Sequence, residues 1–93
     1  MIDPVKAEAL IYAWCTREAR GSPSARALAA VYASTYMDSA RLLRFTDLRV
    51  LDDTRLQWAI TLIKGYVEQA MVVPWARAVA LVALYDLIPD EPI

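Results

Sequence analysis

The stretch that decides the fold is residues 74–88, which read PWARAVALVALYDLI. It has the length and the apolar content of a helix, and Pro89 stops it. Its two charges, Arg77 and Asp86, are nine residues apart and therefore point about 180° away from each other. No continuous polar face can be drawn on this helix. A helix that is apolar all round is buried all round.

Three further helices are predicted from end signals and from helical spacing of the apolar residues. Their ranges are residues 4–20, 23–37 and 54–70. Asp3, Ser22 and Asp53 are the expected N-caps, and Gly21 supplies a left-handed C-cap to the first helix. Gly65 lies inside the third helix, where glycine costs about 1 kcal/mol relative to alanine. We expect a bulky neighbour to cross the helix at that position.

The connection over residues 38–53 is the least regular part of the chain. Residues 42–45 are compatible with an extended piece or with a helical turn. Residues 46–49 are compatible with the start of a short helix or with a 3₁₀ turn. The sequence therefore predicts an all-α protein, a compact bundle of about four helices with one irregular connection, as a single domain over residues 1–93.

The chain is unusually apolar, because 58% of its 93 residues are hydrophobic against a typical 45–50%. Surplus apolar side chains either lie on the surface or meet a partner. Four short helices cannot easily surround one of their own members, so helix 74–88 is expected to contact a second chain, most simply in a homodimer. Trp75 fits the core and an interface equally well. The predicted contact residues on this helix are Trp75, Leu81, Leu84, Tyr85 and Ile88.

The near-zero net charge argues against a strongly basic or a strongly acidic binding protein. Ten Lys and Arg face eleven Asp and Glu, which gives a net charge of −1 and argues against a strongly basic nucleic-acid binder. Four of the ten basic residues fall within fifteen positions: Arg41, Arg44, Arg49 and Arg55. Three aspartates lie among them, so ion pairs on a solvated loop are the simplest interpretation. Contact with an acidic protein surface and contact with phosphate are the alternatives.

The chemistry of catalysis is poorly represented. The chain has no His, which removes the commonest general base and metal ligand, and its two glycines cannot form a phosphate-binding loop. We therefore expect no enzyme, no cofactor and no metal site. Cys15 is expected to be a buried, inert thiol, and a single cysteine favours a reducing compartment.

The sequence also predicts where the protein resides. The start Met-Ile-Asp-Pro is unlike a signal peptide, and the longest uncharged stretch, residues 27–37, is shorter than the roughly 20 residues of a membrane span. We expect a cytoplasmic protein that does not enter a membrane.

Several segments in the middle of the chain form a recognisable order: Ala25-Arg26-Ala27-Leu28, Tyr32, Phe45-Thr46-Asp47-Leu48-Arg49, Leu51-Asp52, Ala59-Ile60 and Ile63. Together they resemble an uncharacterised family of short domains encoded by phages, plasmids and other mobile elements of proteobacteria. The resemblance covers about 40 of the 93 residues. It implies a context, a small accessory protein of a mobile element in a bacterial host cell. The family has no established activity and lends no functional residues.

These observations predict a non-enzymatic protein-binding domain. If the protein belongs to a mobile element, the most specific prediction is an inhibitor of a host defence complex, of the anti-CRISPR type. One alternative is a small helical DNA-binding regulator, in which the second and third helices and the arginine-rich connection would read the duplex. The other is a structural subunit that completes a larger assembly.

Overall fold

The computed structural model describes residues 2–18, 20–36 and 45–87, which contain four α-helices and no strand. The helices are α1 (Pro4–Ala13), α2 (Pro23–Ser34), α3 (Asp53–Gln69) and α4 (Trp75–Tyr85), with a π-helical turn at Trp14–Glu18 and a 3₁₀ helix at Phe45–Val50. The predicted all-α bundle is confirmed. The Cα radius of gyration is 11.9 Å, close to the roughly 12 Å expected for a compact chain of this length.

The first two helices begin where their sequences predict. The Asp3 carboxylate accepts a hydrogen bond from the N–H of Lys6 at 2.8 Å, and the Ser22 hydroxyl accepts one from the N–H of Ala25 at 3.1 Å. Each cap satisfies a donor that has no partner inside the helix. Gly21 lies between the two helices with a φ of +87°, the left-handed conformation predicted for it.

The α-helix predicted over residues 4–20 changes its hydrogen bonding after α1. The hydroxyl of Thr16 donates to the carbonyl of Tyr12 at 2.8 Å, and the hydroxyl of Tyr85 donates to the carbonyl of Cys15 at 2.5 Å. Side chains thus take carbonyl groups that a regular α-helix would use, and the backbone widens into the π-helical turn. The helix predicted over residues 4–20 is therefore helical up to Glu18, but α-helical only up to Ala13.

In the third helix the predicted N-cap was wrong, and the predicted close neighbour of Gly65 is present. Asp52, not the predicted Asp53, is the N-cap, because its carboxylate accepts a hydrogen bond from the N–H of Arg55 at 2.8 Å. Asp53 is the first residue of α3. A Cβ placed on Gly65 would lie 2.4 Å from the Cβ of Pro4, closer than two carbons can approach. The expected bulky neighbour at Gly65 is therefore Pro4, at the start of α1.

The central helix is α2, which contacts α1, α3 and α4. Its buried residues are Ala25, Ala27, Leu28, Ala29, Ala30, Val31, Tyr32 and Ala33. Five of these eight are alanine, so the neighbouring helices can approach closely on every side. The helix that the bundle surrounds is α2, whose small residues made it look less apolar in sequence than helix four.

Helix α4 packs against α2 with one face only. Ala78, Leu81 and Tyr85 are buried on that face. The expectation that Leu81 and Tyr85 contact a second chain was wrong, because both side chains lie in the protein's own core. The other helices of the chain leave the opposite side of α4 exposed.

The connection between α2 and α3 is described from residue 45 onward. Of the two alternatives for residues 46–49, the start of a short helix and a 3₁₀ turn, the structure has the second, as a 3₁₀ helix over Phe45–Val50. Residue 45 is therefore not extended. Residues 42–44, for which an extended piece was one alternative, lie outside the described residues, as do 37–41. Among the helices that the structure describes, none combines the length and the hydropathy needed to cross a bilayer.

Candidate protein-binding surface

The solvent side of α4 is apolar along its whole length. Trp75, Ala76, Val79 and Ala83 are all exposed and recur at helical spacing within an arc of about 100°. We call these four residues the outer face of α4. Trp75 is 60% exposed and Val79 is 37% exposed. A large aromatic side chain standing in water beside small apolar neighbours is typical of a protein-contact surface.

The N-terminus of α4 differs from those of the other α-helices. Pro74 is its N-cap residue and offers no side-chain hydrogen bond, and no acidic residue lies in the first turn. At the other end, the guanidinium of Arg26 donates to the carbonyl of Tyr85, the last residue of α4. Asp86 follows with a φ of +51° and is exposed, at the end of the helix that carries partial negative charge.

The predicted contact residues of α4 differ in how far they are exposed to solvent. Trp75 is exposed, which favours the interface over the core for this residue. Leu84 is half-buried and packs against the core, like Val82. Ile88 lies outside the described residues. Of the predicted contact residues that the structure describes, Leu81 and Tyr85 point inward and Trp75 lies on the exposed side.

The four arginines of the connection do not form one surface in the described residues. Arg41 and Arg44 lie outside them, and Arg49 is exposed at the end of the 3₁₀ helix. Arg55 packs against two tryptophans, with its Cζ 3.7 Å from the centre of the Trp14 ring and 4.6 Å from that of Trp58. A guanidinium between two indole rings gains cation–π attraction and is not free to bind a partner.

A buried polar cluster that the sequence did not predict joins three helices. Glu8 of α1 accepts hydrogen bonds from the hydroxyl of Tyr32 in α2 and from the guanidinium of Arg77 in α4, the latter at 2.8 Å. The Cζ of Arg77 also lies 4.8 Å from the centre of the Tyr12 ring. The carboxylate thus has a charged partner and a neutral donor, as a buried charge requires.

Burial and the Glu8 carboxylate both raise the pKa of Tyr32, burial having the larger effect. The hydrogen bond to Glu8 raises the pKa of Arg77 above its already high ordinary value. Tyr32 is therefore a neutral donor and Arg77 a cation at neutral pH. A signal for this cluster was present in the sequence, since Arg77 is the one cation of residues 74–88 and Glu8 shares a helix face with Ile11 and Tyr12.

Cys15 is buried, as predicted. Its thiol donates to the carbonyl of Ala25 at 3.2 Å, and burial raises its pKa to about 12. At neutral pH the thiol is therefore protonated, and a thiol in that state is a poor nucleophile. Tyr85 completes the surroundings, because its hydroxyl bonds to the Cys15 carbonyl and accepts from the N–H of Gly21 at 3.2 Å.

A shallow groove of about 470 Å³ lies between the N-terminal segment and the solvent side of α3. Its polar lining comes mainly from Gln57, Thr61, Lys64 and Glu68, which recur along one side of the helix. No group of three or more metal-ligating side chains is found among the residues described.

Comparisons of the chain with models of protein families, with curated proteins and with solved structures found no match. The resemblance to short mobile-element domains therefore stays a prediction.

Proposed function

We propose that this protein is a non-enzymatic protein-binding domain that self-associates and contacts protein through the outer face of α4. The observation that carries the proposal is the exposure of Trp75, at 60%, beside exposed Ala76, Val79 and Ala83. Tryptophan is among the residues that most often anchor protein interfaces, and small flanking residues allow a partner to approach closely. No charge interrupts this face between Trp75 and Ala83.

Electrostatics favours a protein partner over nucleic acid. The net charge is −1, so the chain as a whole does not attract phosphate. Three of the arginines have partners within the chain: Arg26 donates to the carbonyl of Tyr85, Arg55 packs on two tryptophans and Arg77 pairs with Glu8. A DNA-reading helix would have to present such groups to the duplex instead.

The biological role that we propose is inhibition of a host defence complex, of the anti-CRISPR type, inside a bacterial cell. The support is the resemblance of the central segments, from Ala25 to Ile63, to short domains of mobile elements. An inhibitor of this kind acts by occupying a surface of its target and needs no catalytic group. A small chain with one exposed apolar face is suited to that task.

The experiment that tests the role is a phage challenge in bacteria with an active CRISPR system directed against that phage. The protein is expected to restore plaque formation, and Val79→Glu is expected to abolish the effect because it places a charge in the contact face. Val67→Glu is the matched control, since Val67 is an exposed valine of α3, at 70%, outside that face.

Two results would contradict the proposal. Unchanged interference in representatives of both major classes of CRISPR system would remove the inhibitor role. Equal activity of Val79→Glu and the unmodified chain would show that the outer face of α4 is not the contact surface.

A further inference from the structure

We propose that the occupant of the outer face of α4 is the α4 helix of a second copy, packed antiparallel about a two-fold axis, with Asp86 of each copy at the N-terminus of its partner's α4. This inference rests on the proposed function, because it names the partner for the same surface. It is carried by the symmetry of a stripe along α4, in which Trp75 and Val79 are exposed and Val82 is half-buried, and by the charges at the two ends of the helix.

The stripe is self-complementary. Trp75, Val79 and Val82 follow one another at intervals of four and three residues, so at 100° per residue they fall within an arc of about 60°. Asp86 follows four residues after Val82, directly after the end of α4. The pattern is symmetric about the midpoint of the helix. In an antiparallel pair, Val79 of one copy faces Val82 of the other, and Trp75 faces Asp86. An apolar centre is thereby flanked by two identical polar ends.

The charges select the antiparallel orientation. Within one chain, Asp86 lies at the negative end of the α4 dipole, and the first turn has neither an acidic residue nor a capping side chain. Packing the copies antiparallel moves each Asp86 carboxylate to the partner's first turn, where the N–H groups of Trp75 and Ala76 have no acceptor inside the helix. Parallel packing would instead place the two Asp86 carboxylates against each other.

The size of the face predicts a weak, reversible dimer. α4 has 11 residues and is about 16 Å long, so one helix pair buries less area than a standard interface. The exposed Ala76 and Ala83 flank the stripe and leave room for the helices to approach. Val82 is already half-buried in its own chain, so its outer side alone contributes. We expect a monomer–dimer equilibrium in the micromolar range.

Sedimentation equilibrium on the full chain, from about 1 µM to about 1 mM, tests whether the second copy binds. We expect a monomer–dimer equilibrium for the unmodified chain and for Val67→Glu, and a monomer throughout for Val79→Glu. Thermal unfolding of both variants establishes that each is folded. A monomer at every concentration would overturn the proposal, as would dimerisation of Val79→Glu with the affinity of Val67→Glu.

The contribution of Asp86 is tested by Asp86→Asn, which removes the charge and suits the left-handed backbone that Asp86 adopts. Since the dimer contains two such contacts, its dissociation constant should rise about threefold to thirtyfold. Glu68→Gln on α3 is the control with the same change in net charge, and it should leave the constant unchanged. Equal dimerisation of both variants would contradict the proposed position of Asp86.

The orientation is tested by disulfide exchange in an equimolar mixture of Val79→Cys and Val82→Cys. Antiparallel pairing predicts that the mixed disulfide exceeds the one half expected from random pairing, because the two positions face each other. Parallel pairing predicts an excess of the two symmetric disulfides. Cys15 does not interfere because it is buried and its pKa is raised to about 12. An excess of symmetric disulfides, or random pairing, would contradict the antiparallel arrangement.

These measurements separate the inference from the function on which it rests. A monomeric chain whose inhibition of CRISPR interference is lost in Val79→Glu would overturn the second copy as the occupant and leave the protein-binding function standing. An antiparallel dimer without any effect on interference would do the opposite.

Discussion

The carboxylate of Glu8 accepts a hydrogen bond of 2.8 Å from the guanidinium of Arg77, joining α1 to α4 across 69 residues of sequence. The same carboxylate oxygen accepts the hydroxyl of Tyr32 from the central helix. Glu8 is 11% exposed at its side chain and Arg77 is 43% exposed. The three residues therefore hold three helices together from one buried point.

Removing either partner of the Glu8–Arg77 pair should be costly. Glu8→Ala leaves the Tyr32 hydroxyl buried without an acceptor, so we expect a loss of about 2–4 kcal/mol in the free energy of unfolding. Arg77→Met should cost a similar amount at neutral pH, because it leaves the Glu8 carboxylate, 11% exposed at its side chain, without its charged partner. Urea denaturation measures both values. A cost below about 0.5 kcal/mol for either variant would contradict the arrangement.

Stability should fall steeply in alkali. Burial raises the pKa of Cys15 from 9.0 to about 12 and raises those of Tyr32 and Tyr85 above their ordinary value of 10. Above pH 9 the unfolded chain therefore loses protons that the folded chain keeps. The stability is fully present below pH 9, and each group removes about 1.4 kcal/mol per pH unit once its unfolded form has ionised.

Denaturant titrations between pH 7 and pH 11 measure this loss. Cys15→Ala should flatten the part of the profile that begins near pH 9, where the unfolded thiol ionises. Tyr36→Phe is the control, since Tyr36 is exposed. A profile that is flat up to pH 11 would mean that the buried groups ionise as readily in the folded chain as in the unfolded one.

Gly65→Ala should destabilise the protein although alanine is the better helix former. The added Cβ would lie 2.4 Å from the Cβ of Pro4 and 2.7 Å from its Cγ, and a proline ring has little freedom to move. Overpacking of this kind costs about 1–3 kcal/mol, which exceeds the gain of about 1 kcal/mol in helix propensity. The free energy of unfolding in urea decides the sign. A stabilised Gly65→Ala variant would show that α1 can shift away from α3.

The features that could be predicted from the sequence are those that depend on residues close together in the chain. Helix starts at Asp3 and Ser22 and the left-handed Gly21 depend on neighbouring residues, and the sequence was sufficient for them. The unusual glycine at residue 65 also carried a readable signal, because its cost implied a close neighbour. The end of α1 was not readable, since the π-helical turn involves the hydroxyl of Tyr85, 70 residues away.

The candidate protein-binding surface also depends on residues that are distant in sequence, and it could be predicted only in part. The composition of helix four correctly indicated unmatched apolar area, but not which side of the helix would remain exposed. That choice depends on α2, against which α4 packs with Leu81 and Tyr85 buried and Trp75 left in water. The pairing of Glu8 with Arg77 depends equally on the tertiary arrangement. The periodicity of a helix shows which residues share a face. Only the packing of the helices decides which of those faces is buried and which is exposed.

The position of the α3 cap predicts different costs for two adjacent aspartates. Asp52→Ala should lower the free energy of unfolding by about 1 kcal/mol because the N–H of Arg55 loses its acceptor. Asp52→Asn should be nearly neutral, since asparagine caps equally well. Asp53→Ala should cost a few tenths of a kcal/mol, the value of one charge near a helix N-terminus. Chemical denaturation of the three variants measures the three losses in the free energy of unfolding. A larger loss for Asp53→Ala than for Asp52→Ala would show that Asp53 is the N-cap.

Arg55 should be intolerant of replacement by lysine. Its guanidinium lies 3.7 Å from the Trp14 ring centre and 4.6 Å from that of Trp58, and the two indoles meet edge to face at 84°. A lysine ammonium cannot stack on both rings, so we expect Arg55→Lys to cost about 1–2 kcal/mol. The ion pair with Asp52, at 4.0 Å on the surface, should contribute less than about 0.5 kcal/mol.

A double-mutant cycle with Trp58→Phe and urea denaturation isolates this contact. The cost of Arg55→Lys should shrink when Trp58 is replaced, because a phenyl ring attracts a cation less than an indole does. The cost should be the same in the Asp52→Asn background, which keeps the helix cap but removes the negative charge. The reverse pattern, sensitivity to Asp52 and indifference to Trp58, would show that the ion pair and not the aromatic rings holds Arg55 in place.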